Sequence, residues 1–174
     1  SLSYHFLSDG SKHRTVNQGG AGILYAGPFT FNVSSSGVGA LESAVAAGGD
    51  ALMVNRSGTL TTAYTVRDHL GSTRAVVGRD GTVLECDEYY PFGTRHDLGR
   101  NYPVLASSRL KYNGKEQQDI ASLSLPYLDY GARLYNPAIL RWNAQDPLQE
   151  KYYGVSPFAY CADSPVLHID TDGA

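Results

Sequence analysis

At 174 residues the chain has the length of one domain with room for a real core, and its 18% charged residues and formal net charge of −3 leave no basic footprint for nucleic acid. No stretch approaches the ~18 apolar residues of a membrane span, and the opening SLSYHFLSDG has neither the basic start nor the apolar run of a signal peptide. The 19 glycines and 13 tyrosines point to many short hairpins, because Tyr suits strands and Gly supplies turns.

Along the first half, alternating runs meet at turns. YHFL is followed by SDGS and KHRTV, and AYTVRDHLGSTRAVV by GRDGT and VLECDEYY. Asp9-Gly10 and Asp80-Gly81 predict hairpins with type I′ turns, which need positive φ at both central positions; NRSGT at 55–59 is a third, weaker turn. The echo of these units suggests a degenerate repeat of about two strands each. Residues 38–47 have glycines on both sides and no apolar stripe, so a short helix and an irregular strand or loop insertion are equally open.

From about Pro91 the texture changes to Pro- and Gly-punctuated sequence, with NYPVLASS expected to be a loop. The following tract is rich in Tyr, Asn-Pro and Asp-Pro and predicts packing of aromatics and turns over regular elements. SPFAYCADSP offers one helical turn, with Ser156 as N-cap and Pro157 at the first helical position.

Few constellations suggest chemistry. Cys86 and Cys161 have no CxxC spacing and read as two buried small side chains before a disulfide. His168, Asp170 and Asp172 would alternate along a strand face, yet a Ca²⁺ loop needs further oxygens and a downstream Glu, so neither metal nor cofactor is expected. Asp68-His69 sits in a hairpin, where packing explains it better than catalysis. Tyr-rich strands can stack sugars, but core packing accounts for them more simply. Asp146-Pro147 and Asp170-Thr171-Asp172-Gly173 are, by residue type, ordinary turns whose Asp side chains accept backbone N–H bonds.

Several long motifs in order carry a resemblance: DHLGSTRAVV at 68–77, EYYPFGT at 88–94, KYNGKE at 111–116, YLDYGARLYNPAILRW at 127–142, QDPL at 145–148 and SPFAYCADSPV at 156–166. The chain resembles the Rhs/YD-repeat proteins, specifically their repeat-associated core domain, in a dialect like that of Bacteroidetes. The resemblance implies a mainly β fold. YD-type hairpins at 1–62 would form an open, curved or spiral antiparallel sheet, and a turn-rich core at 63–174, with at most short helices, would cap it. In this family the sheet strip closes into a shell around a variable C-terminal polypeptide, commonly a toxin, and many members free it by self-cleavage just past the core. Carried over, the family's functional Arg and two Asp fall on Arg133, Asp146 and Asp170, and the cut falls after Ala174, so the chain's last residue fits a cleavage product. Two positions depart from the family pattern: the first Asp-Pro motif lacks its Gly, and Thr171 replaces Pro in the second.

Peptide hydrolysis by carboxylates needs one as base on water and another holding a proton for the scissile carbonyl. Asp146 and Asp170 are far apart in sequence, so only tertiary structure can unite them, and such an enzyme would turn over once. The resemblance thus implies a toxin-carrier fragment with a C-terminal effector or further Rhs repeats as partners, reaching the cell surface or medium within a longer protein through a dedicated secretion system. A chain this short cannot close a shell, and its open sheet edges would favour homo-oligomers. The contrasting expectation is a non-enzymatic surface or adhesion module, or a remnant without cleavage activity.

Overall fold

The computed structural model describes residues 2–46, 48–96, 105, 108–120 and 125–174. The chain forms two compact units. One comprises Ser1–Val66, Val76–Glu85 and Val104–Ser108, and the other Arg67–Ala75, Cys86–Pro103 and Arg109–Ala174. The fold is mainly β, with helical turns of three residues each among the described residues.

Nine strands form an open antiparallel meander in which each pairs with the next: β1 (Leu2–Phe6), β2 (Lys12–Asn17), β3 (Gly22–Ala26), β4 (Phe29–Ser34), β5 (Gly37–Val45), β6 (Ala51–Arg56), β7 (Thr59–Arg67), β8 (Thr73–Gly78) and β9 (Val83–Cys86). Residues 37–45 are therefore strand rather than helix. Small residues let β5 approach β4: a Cβ on Gly39 would stand 3.3 Å from the Asn32 carbonyl oxygen. Ala47 lies outside the described residues.

The hairpins at Asp9-Gly10 and Asp80-Gly81 exist, but their turn type differs from type I′. At the first, Gly10 N–H donates to the Leu7 carbonyl at 3.0 Å and Leu7 N–H to the Ser11 carbonyl at 2.9 Å. Gly10 alone of the pair has positive φ, at 82°. That is a type I turn closed by a left-handed glycine, the three-residue loop of a G1 bulge. Gly81 repeats it. Asp contributes through its side chain instead, Asp9 Oδ1 accepting from the Ser11 hydroxyl at 2.6 Å and N–H at 2.8 Å, which holds that carboxyl below its usual range. The type I′ geometry belongs to the weaker signal, where Ser57 and Gly58 both have positive φ, 51° and 87°, and Arg56 pairs directly with Thr59.

Alternation along β6 builds the first unit's core. Leu52 and Val54 are buried with Ala63, Val76 and Leu84, and Leu105 packs on them, while Met53 faces away. Each buried Val or Leu contributes roughly 1.5–3 kcal/mol.

The second unit has little regular structure: β10 (Glu88–Tyr89) pairs with β11 (Arg95–His96), and β12 (Glu116–Ile120), β13 (Leu125–Asp129), β14 (Leu134–Asn136) and β15 (Arg141–Trp142) form a four-stranded meander. Aromatic packing substitutes for strand length. Tyr112, Leu128, Tyr130, Tyr135, Trp142 and Tyr160 form one buried cluster, with Tyr135 stacked on Tyr160 at 4.1 Å between centroids and Trp142 edge-on to Tyr130 at 5.0 Å. Their phenols are all satisfied, as burial demands. The Tyr130 and Tyr160 hydroxyls lie 2.8 Å apart and each 3.1 Å from Asn113 Oδ1, so that one donates to the other and that other to the amide oxygen; Tyr135 and Tyr112 donate to the carbonyls of Phe92 and Pro91. A fully buried Asp87 carboxylate is matched by Arg95 at 2.5 Å and Lys111 at 3.5 Å.

Ser156 does organise its locality, accepting the Ala159 N–H at its carbonyl, but a helix does not follow. The helical turn is displaced to Cys161–Asp163 and winds left-handed, with φ of 49°, 49° and 60°. Residues 168–172 are not a strand, so His168, Asp170 and Asp172 share no strand face. Both cysteines are free and half-buried. Of the NYPVLASS loop, all but Leu105 and Ser108 lies outside the described residues.

Candidate functional site

The β13–β14 hairpin turns at Gly131, whose φ is 100° and whose N–H is taken by Asp129 Oδ1. Arg133 leaves that turn at the mouth of β14, inside the second unit. It is buried, at 5% exposure, yet every part of its guanidinium is engaged. Nε donates to the Gly173 carbonyl at 2.6 Å, Nη1 to the Pro157 carbonyl at 3.2 Å and Nη2 to Asp146 Oδ2 at 2.9 Å. The same Nη2 lies 3.8 Å from Asp170 Oδ2, and the guanidinium carbon stands 4.3 Å from the Trp142 ring centre. A planar cation with fixed donors on several sides suits this role, and an ammonium does not.

Both aspartates divide their oxygens between two tasks. Asp146 Oδ1 accepts the Leu148 N–H at 2.7 Å, and its own N–H reaches the Pro157 carbonyl. Asp170 Oδ1 accepts the N–H groups of Asp172 and Gly173, at 3.1 and 2.6 Å. Each is thus the ordinary turn residue its sequence suggests, while its Oδ2 faces the shared guanidinium. The three residues singled out in the sequence therefore do come together, and what the two carboxylates share is a cation.

The departures from the family pattern leave both turns standing. Where the first motif lacks Gly, Gln149 donates to the Asp146 carbonyl at 3.2 Å without the positive φ that would call for glycine. Thr171 offers its carbonyl to Lys115, a group that proline also has. Gly173, by contrast, is required: its φ is 83°, and a Cβ would come within 3.0 Å of Arg133 N and Tyr130 Cβ.

A pocket of about 200 Å³ opens at these residues, lined by Arg133, Asp146 and Asp170 with Trp142, Cys161 and Ala174 among others. Its wall includes the left-handed Cys161 and Ala162, a conformation that costs non-glycine residues roughly 1–2 kcal/mol each. Burial pushes the Cys161 thiol up from its usual pKa. Sequence reasoning missed Trp142, Cys161 and Lys115 as neighbours of the site. All three lie within the motifs that carry the resemblance, but their contacts are set by the fold and leave no local trace.

No protein-family model matches the chain. Among curated proteins it is 37% identical over 108 residues to salivary gland surface protein 1 of Aedes aegypti, covering 61% of this chain and 3% of that protein. It is 33% identical over 98 residues to toxin subunit YenC2 of Yersinia entomophaga, covering 56% of this chain and 10% of the subunit. Among solved structures, TcdB2-TccC3 superposes with a TM-score of 0.78 at 22% identity, over 99% of this chain and 9% of that one. A Photorhabdus luminescens Tc holotoxin pore gives 0.72 at 20% identity over the same shares. The chain thus spans a small part of each of these proteins. The shared fold and the toxin-subunit relatives support the Rhs/YD-repeat resemblance, but nothing in them supports the Bacteroidetes-like dialect.

Proposed function

We propose that this chain is the core part of a Rhs-type toxin carrier, with 63–174 as its core domain, and that it frees a C-terminal polypeptide by one self-cleavage after Ala174. The observation that supports the reading is the meeting of Arg133, Asp146 and Asp170 at the segment 170–174, in a pocket that Ala174 itself lines. In a chain continuing past Ala174, water adds to the Ala174 carbonyl carbon. One carboxylate takes the water's proton, and the other carboxyl gives a proton to the departing nitrogen of residue 175. Arg133 holds the Gly173 carbonyl, fixing the strand beside the bond to be cut, and its charge steadies the acidic pair. In the same reading, additional repeats complete the shell around the cargo, and the whole reaches the cell surface or medium within a longer secreted protein.

A second reading follows from the likeness to a salivary gland surface protein: the same sheet and core would serve as a non-enzymatic surface module. The two part on one measurement. A chain carrying a reporter segment after Ala174 is made by cell-free synthesis and its intact mass followed, beside Asp146→Asn and Asp170→Asn. Self-cleavage predicts that the unsubstituted chain splits after Ala174 while both variants stay whole. An unsubstituted chain that remains whole would leave the surface reading standing.

A further inference from the structure

Three consecutive carbonyls of the terminal segment are each held by a different donor. Lys115 Nζ donates to the Thr171 carbonyl at 2.6 Å, Ala132 N–H to the Asp172 carbonyl at 3.0 Å, and Arg133 Nε to the Gly173 carbonyl at 2.6 Å. The first of these is unlike the others. Ala132 and Arg133 belong to the β13–β14 turn, Arg133 being Asp170's own partner, whereas Lys115 comes from the separate Lys111–Lys115 turn, which Lys111 N–H and the Lys115 carbonyl close at 2.8 Å. Its ammonium also stands 4.9 Å from the centre of the Tyr130 ring, so the buried aromatic cluster sets where the cation points.

Resting on the self-cleavage reading, we infer that Lys115 is a positioning residue for that reaction. Asp170 aims its Oδ2 at Arg133 only while its Oδ1 spans the N–H groups of Asp172 and Gly173. That span requires the peptide between them, at Thr171, to keep its orientation. Lys115 pins that peptide by its carbonyl. Without it the turn is tied on its C-terminal side alone, and Asp170 gains freedom to swing from the guanidinium. Catalytic carboxylates tolerate little of this, since a misplacement of about 1 Å costs on the order of a hundredfold in rate. The donor matters, and so does its reach: an arginine at 115 can still donate to the Thr171 carbonyl, whereas a methionine keeps the stem packed on Tyr130 and donates nothing.

The test uses the chain with a reporter after Ala174, and the 174-residue chain in parallel. Lys115→Met is expected to slow self-cleavage about a hundredfold and Lys115→Arg to stay within about tenfold of the parent. Both should keep the near-ultraviolet circular dichroism of the aromatic cluster. In the 174-residue chain, Lys115→Met is expected to speed amide exchange at Asp172 and Gly173 by about tenfold or more, with Tyr135 and Trp142 unchanged. Parent-like cleavage of Lys115→Met, beside an inert Asp146→Asn, overturns the role of Lys115 and leaves the self-cleavage reading intact. Unchanged exchange at both amides also overturns it, whatever the cleavage result. A parent chain that never cleaves overturns both.

Discussion

Arg133 and Asp146 meet through Nη2 and Oδ2 at 2.9 Å, with the arginine side chain 3% exposed and the carboxylate 20%. The pair joins the β13–β14 turn to the loop after β15, and the remaining guanidinium donors secure Pro157 and Gly173. A single buried cation therefore ties together the β13–β14 turn, the loop after β15, the Pro157 segment and the terminal segment.

Lysine cannot replace that arrangement. Arg133→Lys keeps the charge but loses the fork, the flat face on Trp142 and the reach to the separate acceptors. It leaves carbonyls and a half-buried carboxylate without their donors, so the chain is expected to lose about 3 kcal/mol. Urea unfolding followed by fluorescence measures this as a lowered midpoint at unchanged slope. A midpoint within experimental error of the parent would contradict the tie.

The aromatic cluster sets the alkaline limit of stability. Burial pushes the Tyr112 phenol up to about 12, and burial raises Tyr130, Tyr135 and Tyr160 still further. Phenols free in the unfolded chain ionise near 10. The folded state binds these protons more tightly, so its stabilisation is complete below pH 10. It is lost as pH rises from about 10 through 12 and beyond, because the unfolded chain then binds fewer protons. Absorbance at 295 nm should show the exposed tyrosines ionising first and the cluster ionising together with loss of near-ultraviolet dichroism. Smooth ionisation of all 13 tyrosines near pH 10 in a still-folded chain would refute this.

At the β6–β7 turn, Ser57 holds φ of 51°, a conformation that asparagine and glycine accept more readily. Ser57→Asn should therefore stabilise the chain by about 0.5 kcal/mol. Thermal unfolding would register it as a rise of about 2 °C. The same change at Asp9, where φ is not positive, should give no comparable gain.

The sequence alone was sufficient for what local chemistry governs. Alternation and turn residues placed the hairpins of the first half, since side-chain period and glycine conformation act over a few residues. They erred on turn type, taking Asp-Gly as type I′ where a bulge leaves Asp right-handed and uses its carboxylate instead. Residues 37–45 were not legible: their strand depends on the edge of β4, which a local window does not contain. The site divides the same way. Asp146 and Asp170 were recognisable as turn aspartates by type, and Arg133, Asp146 and Asp170 as a set by motif order. That they share one guanidinium, that Lys115 reaches Thr171 and that Trp142 backs the arginine were decided by tertiary structure alone. These contacts join residues 9 to 56 positions apart, and they form only once the tyrosine cluster has packed and set the segments that carry them.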